Sequence, residues 1–145
     1  TTALNIYEGD SDKCLEILQY AKKNNIEIKP IRFGKSGSSY TIDKENNAIY
    51  KGISSIKYCN VQIADELLEL SKNKYETFTD LLKDIKEKTS LNSRQLNILT
   101  GLNFFSEFGN NKYLLNKCLL LISFNIFSLL CFFNILIIPI LYLPF

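Results

Sequence analysis

Apolar positions along the chain fall into short groups whose spacing switches between a helical period and a period of two. Cys14, Leu15, Leu18 and Ala21, with Ile17, recur at helical spacing. They predict one apolar stripe on a helix capped by Asp10 or Ser11 and ending near Asn24–Asn25. In "IEIKPIRF", residues 26–33, Ile26, Ile28, Ile31 and Phe33 alternate around Pro30. Proline has no N–H to give to a ladder, so this run predicts a broken strand at a sheet edge. "GKSGSS", residues 34–39, predicts a flexible surface loop. "YTID" and "AIYKGI" predict two short strands joined across the polar turn "KENN".

The helical period then returns. Asn60 is the expected N-cap of a helix whose apolar face is Ile63, Ala64, Leu67, Leu68 and Leu70. Thr77 or Thr79 caps a second helix, with Leu81, Leu82 and Ile85 turned inward. Asn92 or Ser93 caps a third, with Leu96 and Leu99 inward and Gly101 as its stop. Phe104, Phe105 and Phe108 are expected to pack over that helix, and Gly109-Asn110 turns into a last short one. The fold class is α+β: mostly short α-helices, a small β cluster and a hydrophobic C-terminal helix. Three regions follow: 1–50, a helix plus a small β segment; 51–117, a helical region; and 118–145, a hydrophobic tail.

Charge sharpens the last boundary. Every formally charged residue lies at or before Lys117, and residues 118–145 carry none. About 20 apolar residues suffice to cross a bilayer, so the tail reads as an out-of-frame or degenerate segment, a membrane span or a buried core helix. Lys112 and Lys117 would mark the cytoplasmic side of a span. Exposed, such a tail would aggregate or enter membrane. The chain has no Met, opens on Thr1 and contains 15 Asn beside many Lys, Ile, Tyr and Phe. These features read as an internal piece of a longer product from AT-rich coding DNA.

A net charge of +2 exerts no strong pull toward nucleic acid or anionic membrane. The absence of His removes most catalytic triads and most zinc sites. Cys14, Cys59, Cys118 and Cys131 have no CxxC spacing and read as reduced thiols of a cytoplasmic protein. The acidic pairs Asp10/Asp12, Asp65/Glu66 and Asp80/Asp84 fit helix caps or solvated faces. "GKSGSS" lacks the order of a phosphate-binding loop. Cys59 stands beside a helix start, which lowers a thiol pKa, yet reads better as a buried structural residue.

The stretch "KGISSIKYCN", residues 51–60, is the best functional candidate. A helix-hairpin-helix presents backbone N–H groups at the start of its second helix, where they grip a phosphate without reading sequence. Its turn needs glycine for unusual φ and close approach. Here the apolar Ile53 and Ile56 and the small Ala64 are in place, while the turn reads Lys57, Tyr58, Cys59, Asn60. Asn tolerates left-handed φ, so Asn60 is expected to stand in for one glycine, a task that suits Tyr58 poorly. Lys51 and Lys57 supply positive charge. The candidate nucleic-acid-binding residues are therefore Lys51, Lys57, Tyr58 and Asn60.

Four blocks in order resemble the bacterial replicative DNA polymerase III alpha subunit, between its palm and its C-terminal domains. They are "NNIEIKPIRFGKS", with one proline of the family's pair; "IYKGISSIKYCN"; "YETFTDLLKDIKEKT", with Phe78 as its aromatic; and "LNILTGLNFFSEFGNNKYLL", with Phe105 and Gly109 in register. Together they cover about residues 1–115. The resemblance implies a piece of a DNA-directed DNA polymerase, a nucleotidyltransferase of DNA replication, that positions DNA and lacks the palm. Its catalytic aspartates and magnesium belong upstream, so no catalytic residue, cofactor or metal ligand is carried onto this chain. The implied partners are DNA, bound weakly and without sequence preference, and the remaining polymerase domains. The family's hairpin glycines correspond to Tyr58 and Asn60, which implies a retained scaffold with a weakened close phosphate contact. The alternative function is a small membrane-anchored interaction protein, touching membrane through 118–145.

Overall fold

The computed structural model describes residues 1–120. The chain opens with a short helix α1 (Thr2–Ile6) and continues into α2 (Ser11–Lys23). Asp10 caps α2 by accepting a hydrogen bond from the Lys13 N–H at 3.1 Å. The helix ends in a Schellman motif: Asn25 takes φ 53°, its N–H donates to Lys22, and the Ile26 N–H donates to Ala21 at 2.9 Å. The expected stripe on α2 is only partly covered. Ala21 is buried, but Leu15 is exposed, because α2 leans on the edge of a small sheet rather than on the main core.

That sheet has three strands in the order β1-β3-β2: β1 (Glu27–Lys29), β2 (Thr41–Asp43) and β3 (Ala48–Tyr50). β1 lies parallel to β3 at the edge, with Ile28 opposite Ile49, and ends immediately before Pro30. β2 and β3 form an antiparallel hairpin across residues 44–47, with Asn47 at φ 47°. The segment after β1 is not a flexible loop. Ser36 is buried, Gly37 receives a hydrogen bond from the Ile53 N–H at 2.9 Å, and Ser38 receives one from Ser54 at 3.0 Å. These backbone bonds anchor 34–39 beneath the start of the hairpin region.

A 3-10 turn (Ile53–Ser55) leads into α3 (Val61–Leu70), followed by α4 (Phe78–Lys88) and α5 (Ser93–Gly101). Asn60 caps α3, Thr77 caps α4 and Asn92 caps α5. Ile63, Ala64, Leu67 and Leu70 of α3 meet Phe78, Leu81, Leu82 and Ile85 of α4 in one core. Leu68, expected on the inner face, is exposed, because the α3 stripe is narrower than the run of leucines suggests. α5 ends at Gly101, as expected, but the left-handed closing residue lies two positions further on. Leu102 is the C-cap and Asn103, at φ 64°, closes a second Schellman motif, with the Phe104 N–H on the Leu99 carbonyl at 3.1 Å.

The aromatic turn fills the centre. Phe104 and Phe105 are fully buried, with ring centroids 4.8 Å apart, and Phe33 and Phe78 close around them. Asn110 then caps a helical run over 111–120 through the Tyr113 N–H at 3.0 Å, and Leu114 and Cys118 pack into the same core. The α+β class, with short helices around a small sheet, is the architecture observed. Among the described residues no helix is long and apolar enough to cross a membrane. The expectations for the tail beyond residue 120 lie outside the described residues.

Candidate nucleic-acid interface

The hairpin is built on Gly52. A Cβ there would lie 2.4 Å from the Ser38 carbonyl oxygen and 2.6 Å from Ser39 backbone atoms, so only glycine lets the chain leaving β3 pass this close. The chain then makes its 3-10 turn with Ile53 fully buried, and the Ile56 N–H returns to the Ile53 carbonyl at 3.0 Å. The Cys59 N–H bonds the Ile56 carbonyl at 3.0 Å, closing the tight turn that contains Lys57 and Tyr58.

Within that turn the structure reverses the expected roles of Tyr58 and Asn60. Tyr58 takes the left-handed conformation, at φ 73°. Asn60 is extended, at φ −125° and ψ 177°. The reason is local. An N-cap residue needs extended backbone so that its side chain can reach the third helical N–H, and the Asn60 Oδ1 accepts from Ile63 at 2.9 Å. The left-handed step therefore falls two residues earlier, on Tyr58.

Tyr58 is held there by α5. The Gln95 Nε2 donates to the Tyr58 carbonyl at 2.7 Å. The same Gln95 side chain accepts from the Asn92 N–H at 2.8 Å, while the Asn92 side chain accepts from the Gln95 N–H at 3.0 Å, which completes a capping box. One buried glutamine thus fastens the start of α5 to the hairpin. Arg94 reaches the same residue. Its Nη2 donates to the Tyr58 hydroxyl at 2.8 Å and its guanidinium lies 3.9 Å from the ring centroid. The Lys57 Nζ is 5.1 Å from that ring.

Lys57, Tyr58 and Asn60 are therefore grouped on one turn, with Tyr58 and Lys57 exposed. Lys51 stands at the end of β3, where its N–H donates to the Lys29 carbonyl at 3.1 Å. Its side chain lines a cleft of about 610 Å³ with Leu18, Lys22 and Ile28, beside α2 and β1. Cys59 is half-buried, and burial pushes its thiol pKa up, so the helix start does not activate it. Sequence reasoning missed Arg94 and Gln95. The signal for Gln95 was present, since Asn92 followed three residues later by Gln is a capping-box pattern. Arg94 had none, because only the fold brings it to Tyr58.

Asn60 satisfies the third helical N–H of α3. The N–H groups of Val61 and Gln62 precede the first intrahelical acceptor and sit on exposed residues. Such a terminus, reached through a tight turn and flanked by cations, has the geometry of a backbone-phosphate grip. The fold and this turn define a helix-hairpin-helix protein, whose first helix is here a single 3-10 turn. Residues 25–115 match the family described as "Helix-hairpin-helix motif", and the chain belongs to that family. It thereby carries a DNA-binding helix-hairpin-helix element. Among curated proteins none matches the chain.

Proposed function

We propose that this chain is the DNA-positioning segment of a replicative DNA polymerase alpha subunit of the polymerase III type. Its hairpin holds a duplex by the backbone while catalysis and magnesium binding belong to other domains. The observation that carries the reading is the closed turn at Tyr58 leading into the Asn60-capped start of α3, within the family match over 25–115. The four blocks that resemble the alpha subunit fall in order across the same region and support the finer assignment. Lys57, Tyr58 and Asn60 form the contact surface in this reading, and Lys51 adds charge from the neighbouring cleft.

A fluorescence-anisotropy titration of the full chain with a short labelled duplex tests it. Binding should be weak, independent of sequence and weaker as salt rises, because phosphate contacts release condensed counterions. Replacing Lys51 and Lys57 together by Ala should lower both affinity and salt slope. Binding that is absent, or indifferent to salt, sinks the DNA role. The finer assignment is tested on the encoding DNA: another frame beyond about codon 116 should continue the polymerase pattern, and upstream sequence should supply the palm aspartates.

A further inference from the structure

We infer that Arg94, carried by α5 and aimed by the Tyr58 ring, is a phosphate ligand of the hairpin, taking over the contact that glycines would otherwise leave to the backbone. The inference rests on the DNA-binding reading above and names a residue and a mechanism beyond it. A glycine in the left-handed position leaves the turn open for a phosphate to approach the main chain. Tyr58 occupies that position with an exposed ring. The ring has a use: it stacks against the Arg94 guanidinium at 3.9 Å, its hydroxyl takes one Arg94 N–H at 2.8 Å, and Lys57 stands 5.1 Å from its centroid.

A guanidinium has five N–H donors, so one bond to Tyr58 leaves enough for a bidentate phosphate contact. Stacking also removes part of the rotamer freedom that an exposed arginine would lose on binding. The charges at this turn are not neutralised from within. Among the described residues no acidic group forms an ion pair with Arg94 or Lys57. The basic cleft around Arg32 differs. There Lys29 is paired with Glu27 and Lys35 with Asp43, both at 3.3 Å, so its field is largely compensated. The hairpin therefore offers two uncompensated cations flanking one aromatic ring, with the Gln95 bond fixing the backbone beneath them.

The test is a double-mutant cycle on the full chain, read by the same anisotropy titration across a salt series. Arg94→Ala should weaken binding about five- to tenfold and lower the salt slope by about one. Arg94→Lys should recover only part of the loss, because an ammonium neither stacks nor binds bidentately. Tyr58→Gly keeps the left-handed backbone and removes the ring. In its background Arg94→Ala should cost little, because the ring that aims the guanidinium is gone. The idea is overturned if Arg94→Ala leaves affinity and slope unchanged, or if it costs as much in the Tyr58→Gly background as in the parent. Those outcomes leave the DNA-binding reading intact, whereas a parent chain that binds no duplex removes both.

Discussion

At the scale of single residues, asparagine takes several places where the backbone asks for glycine. Asn25, Asn47 and Asn103 all carry positive φ, two of them closing helices. Asparagine tolerates this region better than other non-glycine residues, which is why so Asn-rich a chain can bend so tightly. Tyr58 is the exception, held by contacts from α5 rather than by its own preference. Gly52 is the opposite case, where no substitute fits. Gly52→Ala would push a methyl into the Ser38 and Ser39 backbone. It should destabilise the fold by about 1–3 kcal/mol, and by more if the 34–39 segment cannot shift. Urea denaturation of the two proteins measures this, and an unchanged midpoint would show that the segment yields freely. The sequence carried the glycine requirement of a hairpin turn but not its location. Tyr58 reads as unfit for left-handed backbone until Gln95 and Arg94, 37 and 36 residues away, are seen beside it.

At the scale of elements, caps and strands were legible, since each depends on residues adjacent in the chain. Asn60, Thr77 and the hairpin across 44–47 follow from side-chain chemistry within four positions. α1 was not legible, because five residues are too few to show a period, and its long-range link, the Tyr40 N–H donating to the Asn5 side chain at 2.8 Å, joins residues 35 apart. Links between elements were equally hidden. The Glu66 carboxylate of α3 accepts from the Ser90 N–H at 2.7 Å, the Ser90 hydroxyl at 2.8 Å and the Gln62 amide at 2.8 Å, tying α3 to the loop between α4 and α5. The Ser90 N–H chiefly, aided by Gln62 and the Ser90 hydroxyl, lowers its pKa. A carboxylate depressed in the folded state stabilises fully above its unfolded value of about 4.3 and stops doing so as pH falls through the folded value. Wild-type stability should therefore drop through this acid range, and Glu66→Gln should drop less steeply. Asp43, Asp80 and Asp84 are also lowered and Glu107 is raised, so the difference between the two proteins isolates Glu66. Parallel curves in urea melts from neutral pH to pH 3 would show that the Ser90 link contributes nothing.

At the scale of the whole molecule, one core joins segments that the sequence keeps far apart. Phe33 follows β1, Phe78 opens α4, Phe104 and Phe105 lie in the turn after α5, and Leu114 and Cys118 arrive from the last described helix. The break in charge at Lys117 is the sharpest mark in the sequence, yet helical backbone runs across it and Cys118 is buried just beyond. Charge reports which residues can face water, whereas burial depends on what a helix meets, so the two boundaries need not coincide. Burial also pushes the Cys118 thiol pKa up, partly offset by the Thr100 hydroxyl 3.9 Å away. A buried, protonated thiol is a poor nucleophile. In the native chain Cys118 should thus be alkylated far more slowly than the half-buried Cys14, with mass spectrometry resolving the peptides. Leu114→Ala should cost about 2–5 kcal/mol and speed Cys118 labelling, because it opens a cavity on the same helix face. If Cys118 is labelled as fast as Cys14 in the unaltered chain, helix 111–120 does not dock, and the core ends at the aromatic turn.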